Sequence, residues 1–199
     1  MGRLKHARGS CAALLVVVFA LAISHGLAHS QTVPDLVDRI RPSIGLVRTR
    51  GSDGTVTGTA FVVHSDGYLV TALHVVVRAV EVQVALGGQV DGAEIVAVDR
   101  ANDLALLRVR RTELVVLPLS GEGPARTGEE VLVVGFPFAE LLGPQDIVVT
   151  KGIVSAAYGS LPQLFQGWLP ITGPILQVDA AMNPGVSGGP VDDYFPGGL

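Results

Sequence analysis

The sequence predicts an all-β protein built as a double β-barrel with its second barrel incomplete, and three observations carry that expectation. Val, Ala, Leu and Gly dominate a chain of 199 residues with only 5% aromatic residues, a composition that favours many short strands joined by tight turns. Six short segments rich in Val, Ile, Leu or Thr follow one another between Gly, Asp and Asn punctuation. A Gly/Pro-rich connector, Leu119 to Gly128, then separates them from a second, shorter series.

The first series comprises Ile44–Arg50, Val56–Val63, Tyr68–Thr71, Val80–Leu86, Glu94–Val98 and Leu104–Val109, enough strands for a small closed antiparallel barrel over residues 44–118. Ser65-Asp66-Gly67 reads as a hairpin turn, with Gly67 free to take a positive φ. The second series, in residues 119–199, comprises Glu130–Gly135, Ile147–Ser155, Ile175–Val178 and Pro190–Val191. Gly159 to Gly173, with Pro162 and Pro170, reads as a long surface loop. Ahead of the strands, in an N-terminal segment of residues 31–43, Val33, Leu36, Val37 and Ile40 fall at helical spacing, and Pro42 closes a helix over Val33–Arg41.

Residues 1–30 read as a secretory signal peptide. Arg3, Lys5 and Arg8 form a basic head, Cys11 to Ile23 is an apolar run short for a bilayer span, and Ala28-His29-Ser30 supplies a small-residue cleavage site. The competing expectation is an uncleaved anchor. Export implies a periplasmic or extracellular location and no stable membrane span once the signal is cleaved. The leader holds three basic and no acidic side chains, so its removal takes the formal charge from −4 to −7. An acidic surface is a poor match for nucleic acid or anionic lipid. The single cysteine, Cys11, leaves with the signal, which removes disulfides, thiol nucleophiles and Cys-based metal sites. No cluster has metal-ligand spacing, and no cofactor is expected.

Asn183-Pro184-Gly185-Val186-Ser187-Gly188-Gly189-Pro190 is the most informative stretch. A serine between glycines on a sharp loop can expose its hydroxyl, and the glycines let Gly185 and Ser187 turn two N–H groups toward one developing oxyanion. The same fragments also form plain turns. A serine hydroxyl needs a base, and the histidines well inside the mature chain are His64 and His74. His64 precedes the Ser-Asp-Gly turn and reads as a solvated turn residue. His74 lies in LVTALHVV, where an apolar strand passes into a short turn or helix, surroundings in which a lone histidine is more often structural than catalytic. Asp103, in NDLALL, is a carboxylate at the start of an apolar strand that would orient the base. Such an aspartate also serves as a turn or cap residue, and Asp99, its rival, reads as a surface turn residue.

Three weak signals in the order His, Asp, Ser are much stronger together. TALHVV, NDLALLRV and NPGVSGGP resemble the three signature segments of the HtrA (Deg) branch of trypsin-like serine proteases. TGTAFVV with DGYLVT, VVGFPF, GIVS and QVDAA are similar to the family's intervening segments, so the resemblance runs from about Ile44 to Val191. It implies a double β-barrel with the site in the cleft between barrels, His74 as general base, Asp103 as its orienting acid and Ser187 as nucleophile. Gly185 and Ser187 would form the oxyanion hole, and polypeptides in exported, unfolded or misfolded proteins would be the substrates. The oligomeric state stays open, a homo-oligomer included.

Some features depart from the family pattern. Val186 stands where many relatives carry Asn or Ser, and Pro144 interrupts the loop after Phe138. The resemblance implies further strands, a pocket-lining loop and often PDZ domains after S-G-G-P, whereas twelve residues follow Ser187 and do not continue that pattern, as though a reading frame ended early. Three readings therefore compete: a serine endopeptidase, an inactive truncated relative that binds polypeptide segments, and a structural β-domain with chance motif matches. For specificity, the family fold implies a pocket floor from Ala180, Ala181 and Met182. No carboxylate there would greet Lys or Arg unless Asp179 turns inward.

Overall fold

The computed structural model describes residues 32–52, 54–119, 125–142, 146–160 and 171–193. The expected leader, Pro144, Pro162, Pro170 and residues 194–199 lie outside the described residues.

Helix α1 (Val33–Ile40) begins on a reciprocal cap. The Thr32 hydroxyl accepts the Asp35 N–H at 3.4 Å, and the Asp35 carboxylate accepts the Thr32 N–H at 3.2 Å. Two otherwise orphaned helix-start donors are thereby satisfied. The helix ends one residue earlier than the sequence suggests, and Pro42 does not break the chain path. It sits inside a 3₁₀ turn (Arg41–Ser43), where its missing N–H costs nothing in a first turn.

Strands β1 (Ile44–Gly51), β2 (Gly54–His64), β3 (Tyr68–Ala72), β4 (Ala79–Leu86), β5 (Gln89–Asp99) and β6 (Leu104–Val109) close into a barrel in the order β1-β2-β3-β6-β5-β4. Every pairing is antiparallel. Gly67 takes φ 90° in the β2–β3 turn, as its sequence suggests. The helical turn α2 (Leu73–Val76) leaves directly from β3. Strand β5 is longer than expected: its polar start, Gln89 to Gly92, pairs with β4 across a Gly87-Gly88 turn, both residues at positive φ. Two such residues suit the twist of a two-residue hairpin. Val47, Val62, Leu69, Val84 and Leu107 are buried in the barrel core together with Val75 and Val76 of α2.

The second sheet contains β7 (Glu130–Gly135), β8 (Val148–Tyr158), β9 (Ile175–Val178) and β10 (Val191–Asp193) in the order β10-β7-β8-β9, and it is open among the described residues. A short helix α3 (Ala139–Leu142), not foreseen in the sequence, follows β7. Four successive residues of β7, Val131 to Val134, are buried, so both of its faces are covered. Leu132 and Val134 share a cluster with Leu36 and Ile40 of α1, Ile44 of β1 and Leu117. The N-terminal segment thus packs into the seam where the second sheet meets the barrel. An Arg41–Asp146 ion pair adds to this seam. The Ile147 N–H and the Arg41 guanidinium hold the Asp146 carboxyl below its usual range. Both groups are exposed, so the pair contributes little; its share is present above the ordinary aspartate range and fades as pH falls through the lowered value.

Among the described residues no helix is long and apolar enough to cross a membrane. The seam makes a quantitative prediction. Leu132, with 0% exposure, should cost about 2–5 kcal/mol on replacement by Ala, read as a lowered denaturant midpoint. Val80→Ala, at a site 88% exposed, should stay within about 0.5 kcal/mol of the wild type.

Candidate active site

The corner between β5 and β6 is built by Asp99. Its carboxylate accepts the Ala101 N–H at 2.9 Å, the Asn102 N–H at 3.2 Å and the Asn102 side-chain amide at 2.6 Å. The Asn102 side chain is the main cause of an Asp99 pKa below the ordinary value, with backbone donors adding to it. Asp99 is thus a turn residue, and what it turns is Asp103. That residue adopts φ 55°, a left-handed conformation that Asp tolerates better than most side chains, and this aims it across the barrel end.

Asp103 then holds the start of α2 at three points. Its carbonyl accepts the Leu73 N–H at 2.8 Å, its Oδ1 accepts the His74 N–H at 2.9 Å, and its Oδ2 lies 2.5 Å from His74 Nδ1. A carboxylate only accepts, so the proton between them sits on Nδ1 and leaves Nε2 with its lone pair in the neutral ring. The His74 side chain is 57% exposed and the Asp103 side chain 24% exposed, so the ring faces outward while its carboxylate is sheltered. His64 is elsewhere, at the end of β2: its Nδ1 accepts the Asp66 N–H at 3.2 Å, and its ring meets Tyr68 edge-on.

The serine segment is two consecutive turns. In the first, the Val186 N–H donates to Asn183 O at 3.2 Å, with Pro184 and Gly185 between them and Gly185 at φ 105°. Pro at the second position and positive-φ Gly at the third define a type II turn. In the second, the Gly189 N–H donates to Val186 O at 2.8 Å, with Gly188 at φ 83°. Val186 is shared by the two turns, and Ser187 is the second residue of the second one, half-buried. Pro184 O accepts the Phe138 N–H at 2.8 Å, and in a trans peptide the next N–H points the opposite way. The Gly185 N–H is therefore directed away from Phe138. Among the described residues neither the Gly185 nor the Ser187 N–H donates to a main-chain carbonyl.

The serine turns and the histidine turn meet on one short piece of β2. A Cβ on Gly58 would lie 2.7 Å from Val75, the neighbour of His74, and 3.0 Å from Ser187 O. The Thr59 N–H donates to that same Ser187 carbonyl at 2.8 Å. Sequence reasoning missed Thr59 and Thr71, whose buried hydroxyls bond to Gly185 O and to Thr59 O at 2.8 and 2.6 Å. It also missed Phe138, at φ 55°, as the residue that holds the Pro184 carbonyl. The only hint was a polar residue between small ones, Gly58-Thr59-Ala60.

The segment between β9 and the serine turns, Asp179 to Met182, holds no free acid. Ala180 is buried, Met182 is 55% exposed, and the Ala181 carbonyl accepts the Thr150 hydroxyl at 2.8 Å. Asp179 does not turn inward: its Oδ1 accepts the Ile153 N–H of β8 at 2.6 Å.

A profile of the trypsin-like peptidase domain matches residues 58–194. A relative from Hahella chejuensis, called a probable periplasmic serine endoprotease DegP-like, is 38% identical over 146 residues, which cover 72% of this chain and 29% of that protein. A protein of the same description from Pseudomonas putida is 39% identical over 135 residues, 67% of this chain and 26% of that one. The chain thus spans less than a third of these relatives. Among solved structures, the HtrA-type protease AlgW with a tripeptide aligns with a TM-score of 0.70 and 33% identity, over 81% of this chain and 50% of that chain. The serine endoprotease from Yersinia pestis aligns with a TM-score of 0.63 and 30% identity, over 79% and 52%. The closed barrel, the partial second sheet and these matches define a trypsin-like serine protease fold. The chain belongs to the trypsin-like peptidase family, in its HtrA-type branch.

The tightness of the serine turns is testable without any assay of function. A Cβ on Gly188 would come within 2.3 Å of Thr71 Oγ1, 2.4 Å of Thr59 O and 2.6 Å of Ala72 N, at a φ that L side chains rarely adopt. Gly188→Ala should therefore lower the melting temperature by several degrees, a loss of roughly 1–3 kcal/mol or more, measured by calorimetry.

Proposed function

We propose that the chain carries the catalytic part of a serine endopeptidase that hydrolyses peptide bonds in exported polypeptides. The observation that carries this reading is the His74 Nδ1–Asp103 Oδ2 contact at 2.5 Å, on a turn that shares β2 with the Ser187 loop. His74 is the general base, Asp103 the residue that fixes its tautomer and stabilises the imidazolium, and Ser187 the nucleophile.

In this mechanism the Ser187 oxygen attacks the scissile carbonyl carbon while its proton passes to His74 Nε2. The carbonyl oxygen becomes an oxyanion facing the Gly185 and Ser187 N–H groups. His74 then gives its proton to the leaving amine, the C–N bond breaks, and an acyl-serine remains. Water attacks that ester with His74 again as base, releasing the acid and regenerating the serine. The periplasmic designation of the relatives supports an exported protein, and the AlgW structure with a bound tripeptide supports a peptide substrate. Unfolded or misfolded chains are the proposed substrate class, because an endopeptidase needs an extended segment that folded proteins hide.

Ala180, Ala181 and Met182 line the proposed pocket floor. The Asp179 carboxylate is engaged by the Ile153 N–H, which favours small or medium aliphatic side chains before the cleaved bond. Ser187→Ala or His74→Ala should lower casein turnover by several orders of magnitude with the melting temperature retained, because nucleophile and base act as a unit. Peptide libraries should show cleavage after Val, Ala or Leu. Equal casein cleavage by wild type and Ser187→Ala would sink the assignment of the nucleophile, and a dominant Arg or Lys preference would overturn the pocket assignment.

A further inference from the structure

We infer that Thr59 is the positioning residue of the serine turns, a role that rests on the function proposed above. Thr59 is on β2, has 0% exposure, and uses every polar group it owns. Its N–H donates to Ser187 O at 2.8 Å, and its carbonyl accepts the Thr71 hydroxyl at 2.6 Å. Its own hydroxyl donates to Gly185 O at 2.8 Å and accepts the Phe136 N–H at 3.1 Å. One buried side chain therefore holds the carbonyl after the first oxyanion donor, and its backbone holds the carbonyl of the nucleophile.

The geometry matters because the first turn has two peptide planes to fix. The Phe138 N–H on Pro184 O fixes the plane that carries the Gly185 N–H. The Thr59 hydroxyl on Gly185 O fixes the following plane, whose N–H belongs to Val186 and closes the turn on Asn183 O. With both carbonyls held, neither plane can rotate without breaking a hydrogen bond. The Gly185 N–H is then fixed before substrate arrives, which is the form of electrostatic stabilisation that costs no reorganisation at the moment of reaction. Phe136 and Phe138 belong to the segment after β7, so the two bonds also tie the serine turns to both the barrel and the second sheet. The threonine methyl faces Gly189, where an added Cβ would lie 3.3 Å from it.

The hydroxyl carries the hydrogen bonds and the methyl carries none, so the two can be separated by substitution. Thr59→Val keeps the shape and deletes the hydroxyl, Thr59→Ser keeps the hydroxyl and deletes the methyl, and Thr59→Cys offers a weak donor of serine-like size. On the full chain, Val should lower kcat by about 10- to 100-fold, less than outright loss of an oxyanion donor, while KM stays within about twofold. Inhibition by a peptide boronate, which mimics the tetrahedral state, should weaken by the same factor. Ser should recover most of that loss despite its missing methyl, and Cys should fall between Ser and Val. Amide exchange at Val186 should accelerate at least about tenfold in Val with Leu69 and Leu107 still protected. Should Val fail to fold, the Ser and Cys pair decides by the same kinetics. A raised KM with unchanged kcat, a Ser variant no better than Val or Cys, or unchanged Val186 exchange would overturn the role. Equal turnover in wild type and Ser187→Ala would sink the proposed function instead, and Val186 exchange would still decide whether Thr59 holds the turn.

Discussion

The site depends on one carboxylate, Asp103, and on the backbone conformation that lets it reach its partners. At φ 55° it leaves the β5–β6 corner pointing across the barrel end, and it binds the first two N–H groups of α2 as well as the His74 ring. Those N–H groups are the orphan donors that any helix start must satisfy. One residue therefore caps the turn and sets the tautomer of the ring that the turn carries. Asp99 and Asn102 stand behind it with three hydrogen bonds that shape the corner. The chain of cause runs from an Asp-x-x-Asn turn to a left-handed residue to an imidazole held at its Nδ1.

The second constraint is close backbone approach between the barrel and the serine turns. Gly58, Gly135, Gly188 and Gly189 each face atoms within 3 Å of where a side chain would begin. Polar backbone groups brought this near must be paired, since an unpaired buried one costs on the order of 1–3 kcal/mol. Thr59 and Thr71 supply that pairing from inside an otherwise apolar strand surface. The seam between α1, β1 and β7 fixes the larger geometry: Leu36, Ile40 and Leu132 hold the second sheet against the barrel that carries the histidine.

Much of this is legible in the sequence, for physical reasons. Strands such as β7 and β9 are read to the residue because apolar runs end abruptly at Gly, Asp or Pro. The start of β5 is hidden because Gln89 and Asp91 look like loop residues unless the Gly87-Gly88 turn is read as a hairpin. Helix α3 is four residues, too short to show a period. His74, Asp103 and Ser187 stand out in the sequence because the segments that carry them, TALHVV, NDLALLRV and NPGVSGGP, together resemble one family's signatures. Thr59 does not, because Thr55, Thr57 and Thr59 alternate alike along β2, and only packing makes the last one buried. The Asp179 orientation is likewise a tertiary fact, set by the Ile153 N–H on a neighbouring strand.

The central claim is that these residues form an assembled nucleophilic site. Treatment of the folded chain with a peptidyl phosphonate, followed by peptide mapping in a mass spectrometer, measures this directly, because only a serine activated by its base attacks the phosphorus quickly. The account predicts a single stoichiometric adduct on Ser187 that disappears when the protein is unfolded first or when His74 is replaced by Ala. Absence of the adduct from the folded wild type, or equal labelling of other serines, would contradict it.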